Sequence, residues 1–413
     1  MDADLITPGD LLVAGQVLGE PTALLDELFS SAAERLQGCR LFTGMSLTDV
    51  LERAPAGLGL LSFVGMGAAG RLLKAGRLDL VPCHMSDLPW AMTDGPLRPD
   101  VALVLVSPPD SDGICYLGTE TDYTSAAVRS ARVVLAEIND NVPRVAGDTG
   151  IPFDRLDGHI RTDRPLPDYP RGEPNATETA IGSRVAGYVR DGSCIQVGVG
   201  KLGEAVLRAV ADRRDLGVHT GMVGETILEM MRDGVITGAR KPLDTGLTVT
   251  GSILGGPAAV ALAGKSSELR LRSVEYLNDF RTISALDDFV CVNSAIEVDL
   301  LGQVNAEVVG GRYVGGIGGS VDFLRASVRA PGGCSIVALP SAARGRDGTA
   351  VSRIVAGVER VTVQRSDVSV VITEYGTADL RGVSQGERAR RLVAVAAPEH
   401  RERLTAACEE WGL

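Results

Sequence analysis

The sequence predicts an α/β protein of two domains with largely parallel sheets, and three observations carry that prediction. The chain has 413 residues, more than a single hydrophobic core ordinarily serves. Short β-rich apolar runs alternate with helix-patterned segments in both halves, the sign of strand-helix-strand units. Between Arg161 and Pro174 stand Pro165, Pro167, Pro170 and Pro174, a stretch unable to continue a helix or a central strand. The domains are therefore expected over residues 1–182 and 183–413, joined near 161–182, with a ligand cleft at their interface.

The elements follow in order. Val101-Ala102-Leu103-Val104-Leu105-Val106 reads as a buried strand ended by Ser107-Pro108-Pro109-Asp110. Tyr123 to Arg132 is helix-like, and Val133 to Ile138 is the next strand. Past the proline-rich break, Cys194-Ile195-Gln196-Val197 leads through Gly198-Val199-Gly200 into a helical pattern from Leu202 to Val210. Runs at Phe289 to Asn293, Ser335 to Leu339 and Val368 to Thr373 extend the alternation. There is no short-period repeat or low-complexity tract.

Composition excludes several functions. Hydrophobic residues at 45% and charged residues at 23% describe an ordinary globular chain. Aromatics make up only 4% and the net charge is -12, so neither a base-stacking platform nor a basic field for nucleic acid is expected. The N-terminus reads Met1-Asp2-Ala3-Asp4, acidic where a secretory signal is basic, and no apolar run approaches the ~18 residues of a membrane span. A cytoplasmic location without a membrane partner is the expectation. The seven cysteines are scattered, with no Cys-x-x-Cys pair and no histidine cluster, so buried thiols are expected rather than disulfides or a metal site.

Several longer motifs share one order. Gly9-Asp10, Val13-Ala14-Gly15 and Gly19-Glu20-Pro21 open the chain, and Val106-Ser107-Pro108-Pro109-Asp110, Gly113 and Asp122-Tyr123 follow. Asn293 to Val304 reads NSAIEVDLLGQV, Gly316 to Phe323 reads GIGGSVDF, and Thr373 to Gly382 reads TEYGTADLRG. Together these resemble the 4-hydroxybutyrate CoA-transferase and acetyl-CoA hydrolase/transferase family over nearly the whole chain. The resemblance implies two CoA-transferase-like α/β domains, an acyl-CoA substrate and a homodimer.

Each motif has a physical use. Glycines at 315, 316, 318 and 319 clear side chains from a turn, so backbone N–H groups can face an oxygen. By resemblance the N–H of Gly319 holds the oxyanion formed on a CoA thioester, with Gly316 and Gly318 shaping that loop. Gln196, Gly198 and Gly200 lie where a strand opens into a helix, a place for an anion or simply a tight turn. They lack the full spacing of a dinucleotide fingerprint, so no nicotinamide cofactor is expected. Arg344, Arg346 and Arg353 are candidate cations for CoA phosphates. Glu374 either organises the site or holds a turn; Glu297 is read as structural.

One position departs from the family. Gly217-Val218-His219-Thr220-Gly221-Met222 occupies the stretch where the family reads Gly-Ile/Val-His-Thr/Ser-Glu-Met and uses the Glu to take an acyl group from CoA. Gly221 cannot attack a thioester. Glu225, four residues on, would share a helix face with position 221 if the segment were helical. His219 is a candidate general base or an orienting residue.

Three readings remain open on the sequence. In the first, an amine, hydroxyl, carbon nucleophile or water attacks the acyl-CoA directly in space lined by Gly221 and Met222. In the second, Glu225 or a substrate carboxylate sustains ping-pong CoA transfer. The third is a non-catalytic acyl-CoA-binding subunit.

Overall fold

A computed structural model describes residues 3–345 and 348–413. It divides into two compact units. The first comprises Met1–Pro170, Gly221–Leu228 and Val249–Asp279; the second holds Arg171–Thr220, Glu229–Thr248 and Phe280–Leu413. Both are α/β with mostly parallel strands.

The first unit is built on a seven-stranded sheet. Its order is Leu78–Leu80, Gly59–Ser62, Arg40–Thr43, Leu11–Ala14, Val101–Val106, Val133–Asn139 and Gly158–Thr162, every pairing parallel. Val101–Val106 and Val133–Asn139 are buried at every position. That is why they read as continuous apolar runs instead of alternating ones. Leu24, Leu25 and Leu28 of the helix Thr22–Ser31 join Leu12, Leu41 and Leu103 in one core cluster. The later segment returns here by backbone hydrogen bonds, Thr121 N to Gly251 O at 2.9 Å and Ile253 N to Thr119 O at 2.8 Å.

In the second unit, Cys194–Val197, Phe289–Ser294, Cys334–Ala338 and Val370–Thr373 are successive parallel neighbours. Gly217 and Val218 pair on the other side of Cys194–Val197, and Gly376–Asp379 closes an antiparallel edge. The helix Lys201–Ala209 follows the first of these strands, and Ser320–Ser327 precedes Cys334–Ala338. The predicted runs all form strands, with boundaries moved by one or two residues.

None of the seven cysteines is in a disulfide, and all but the half-buried Cys83 are buried. No helix among the described residues is long and apolar enough to cross a membrane.

Candidate active site

Gly217–Val223 is a β-strand, so residues 217, 219, 221 and 223 share one face and 218, 220 and 222 the other. At its start, a Cβ on Gly217 would stand 2.6 Å from Lys241 Cγ. Lys241 is buried there, its Nζ donating to Val218 O at 3.2 Å and Leu247 O at 2.9 Å. Burial lowers its pKa. His219 is fully buried, with its ring edge-on to Phe289 at 6.5 Å and Phe323 at 6.3 Å.

Gly221 is half-buried, and its carbonyl accepts from Thr250 Oγ1 at 3.2 Å. This corrects the helical relation considered between Gly221 and Glu225. Gly221 is extended, whereas Glu225 is the first residue of the helix Glu225–Arg232, so no helical turn stacks the two. Met222 points to the face opposite position 221, which separates two residues that the sequence reading grouped.

The glycine loop ends at a helix. Gly318 has φ +55°, and Gly319 is the N-cap of Ser320–Ser327. A Cβ at Gly315 would sit 2.2 Å from Ala306 O, so that glycine is required by close backbone approach. Gly316, Gly318 and Gly319 are half-buried, beside the N–H groups that begin the helix. Phe323 on this helix touches His219. The imidazole two residues before position 221 is thereby packed on the helix that Gly319 caps.

Gln196, buried, accepts from Asn293 Nδ2 and Cys291 Sγ, each at 2.8 Å. Val197, Gly198, Leu202, Gly203, Val292 and Asn293 line a small cleft at these strand ends. Gly200 has φ +112° and N-caps Lys201–Ala209. A Cβ at Gly203 would lie 2.1 Å from Gly198 O, so close strand-helix packing accounts for part of this glycine pattern.

Both oxygens of Glu374 accept from Ser341, Oε2 from the backbone N–H at 2.8 Å and Oε1 from the hydroxyl at 2.7 Å. The carboxylate holds a turn. Glu297 Oε1 likewise accepts from Asn305 Nδ2 at 2.9 Å and Glu359 N at 3.0 Å. Arg344 is exposed at the end of Ala342–Arg344, and Arg346 lies outside the described residues. Among the described residues no group of three His, Cys, Asp or Glu is placed to hold a metal ion.

The sequence reading missed a buried acid pair in the first unit. Glu120 and Asp122 are 1% and 2% exposed. Asp122 Oδ2 accepts from Gln16 Nε2 at 2.6 Å and from Ser252 Oγ, and Glu120 Oε1 from Thr124 Oγ1 at 2.7 Å. Glu120 Oε2 is buried without a hydrogen-bond partner. Burial and the charge of Asp122 push Glu120 well up, and burial pushes Asp122 up to about 6. A Cβ on Gly251 would stand 2.2 Å from Asp122 Oδ1 and 3.3 Å from Gly221 O, so the pair lies just behind the backbone of position 221. The available signal was two acids at i and i+2, near Gly15 and Gly19, whose missing side chains make room for Glu120.

Comparisons with known proteins agree over most of the chain. Residues 3–167 match the acetyl-CoA hydrolase/transferase N-terminal domain and 259–408 its C-terminal domain. The 4-hydroxybutyrate coenzyme A transferase of Clostridium kluyveri is 35% identical over 342 residues, 83% of this chain and 80% of that protein. The succinyl-CoA:cyclohexane-1-carboxylate CoA transferase of Geobacter metallireducens is 31% identical over 411 residues, 98% of this chain and 93% of its own. The crystal structure of RipA from Yersinia pestis superposes with a TM-score of 0.92 at 30% identity, covering 100% of this chain and 96% of that one.

Proposed function

This chain belongs to the acetyl-CoA hydrolase/transferase family, and from that premise we propose that it transfers an acyl group from a CoA thioester directly to a second substrate, with no enzyme-bound glutamyl intermediate. The observation that carries the proposal is Gly221, a glycine in the strand Gly217–Val223 within the stretch that resembles the family's nucleophile motif. Within the second unit, the helix that Gly319 caps packs Phe323 against His219, which supports a role for the glycine loop beside that imidazole.

The chemistry balances without an enzyme carboxylate. An amine, hydroxyl, carbon nucleophile or water forms a bond to the thioester carbonyl carbon, whose oxygen becomes an oxyanion facing the Gly319 N–H. The C–S bond then breaks, and CoA leaves as the thiol with the proton that the acceptor gives up. Orientation and one preorganised donor supply the catalytic effect. The burial of His219 between two phenyl rings supports an orienting role for it over that of a base.

The test is incubation of the purified chain with acyl-CoA and a panel of acceptors, following free thiol and intact protein mass. CoA release with an unmodified protein is expected; a protein-CoA adduct that turns over would sink the proposal. Gly319→Val should lower kcat about 100-fold with little change in KM, the scale of one lost oxyanion donor. Unchanged turnover in a folded variant would leave the loop a structural part only.

A further inference from the structure

In the second unit one half-buried arginine, Arg353, has no hydrogen-bond acceptor for its guanidinium among the described residues. Glu374 spends both oxygens on Ser341. Arg184 donates to the backbone carbonyl of Glu374 at 3.1 Å and meets no carboxylate among the described residues. Arg353 is half-buried, and its backbone is fixed on two sides, its N–H donating to Ser341 O and its carbonyl accepting from Val298 N, each at 2.8 Å. Its guanidinium makes no hydrogen bond to a described residue; only the charge of Glu374 acts on it across space. Elsewhere in the unit arginines close on acids, as Arg208 does on Glu173 and Arg381 on Asp379.

We propose that Arg353, held beside the Ser341–Glu374 turn, is the seat for an oxyanion of the substrates, a carboxylate or a CoA phosphate. A half-buried guanidinium without acceptors among the described residues gains more from an anion than a solvated one, because the charge-assisted bonds form at reduced dielectric. Its five donors in a fixed fork suit two oxygens at once. Burial also lowers the pKa of Arg353, the mark of a cation kept partly from water. The segment joins this residue to the hairpin bearing Arg344, whose strands pair Ala342 with Ser352.

The identity of the acyl-CoA rests on the proposed function, whereas the oxyanion seat does not. The test is therefore a binding measurement. Calorimetric titrations with acetate, inorganic phosphate, CoA and dephospho-CoA are compared for the parent and Arg353→Gln. The variant should bind at least one of these about tenfold more weakly, the equivalent of one charge-assisted contact. Weakened acetate with unchanged CoA identifies a substrate carboxylate; weakened phosphate and CoA, with dephospho-CoA affected differently, identifies the cofactor tail. Equal affinity of parent and variant for all four overturns the proposal even if acyl transfer is established. Should Arg353→Gln fail to fold, Arg353→Lys keeps the charge and loses the fork: about threefold weaker binding supports the seat, and parental affinity for all four overturns it.

Discussion

Two buried acidic clusters in the first unit solve the same problem in opposite ways. Glu137 is fully buried, yet Arg164 Nε meets it at 2.6 Å, Thr162 donates at 2.9 Å, and Ala23 N donates at 2.9 Å from the start of the helix Thr22–Ser31. Its charge is matched by a cation and a helix terminus. Glu120 and Asp122 are as deeply buried, but their hydrogen bonds come from Gln16, Ser252 and Thr124, all uncharged. Two adjacent carboxylates cannot both stay ionised there, so the second cluster is balanced by a proton. The difference teaches that burial alone does not set the state of an acid; the available counter-charge does.

The contrast breaks most sharply at Arg164. Arg164→Met strands the Glu137 carboxylate and should cost about 3–5 kcal/mol, the scale for removing one partner of a buried ion pair. Urea unfolding at neutral pH measures it, and a loss under about 1 kcal/mol would mean that the helix N–H groups suffice.

Gly221→Glu adds a third acid near the cluster that has no cation. We expect about 1–3 kcal/mol of lost stability from the ill-matched polar group, together with a slower native reaction as the new side chain fills the acceptor's space. Acyl-CoA treatment followed by intact-mass measurement tests whether the variant gains a covalent adduct. A variant with parental stability and parental rate would place position 221 outside the working site.

The finest comparison is Glu120→Gln. The folded state holds the Glu120 proton more tightly than the unfolded chain does, so that contribution is complete below the ordinary carboxylate pKa. It declines as pH rises through the elevated folded value. Between pH 5 and pH 8 the parent should therefore lose more stability than the variant. Parallel stability profiles would show that the pair is not proton-balanced.

Much of the architecture was legible because local chemistry and fold agree. Val101–Val106 is apolar throughout and stopped by two prolines, and Cys194–Val197 runs into glycines that let a helix begin. A glycine turn leading into a helix was legible because its motif is contiguous, ending at Gly319. Contacts between distant residues were not. Glu374 meets Ser341 across 33 residues, and Asp122 meets Ser252 across 130, separations that no period in the sequence encodes. The sequence leaves the conformation at position 221 open, because Gly221 interrupts the run Val218, His219 and Thr220 that a strand continues through.

The burial of the thiols also decides how this chemistry can be watched. Six of the seven cysteines are shielded and Cys83 alone is partly open, so a colorimetric thiol reagent added to the native protein meets at most one readily reached sulfur per chain. Each CoA released in turnover then stands out against a small, constant blank. Continuous spectrophotometry can thus screen many acceptor classes in the same cuvette format.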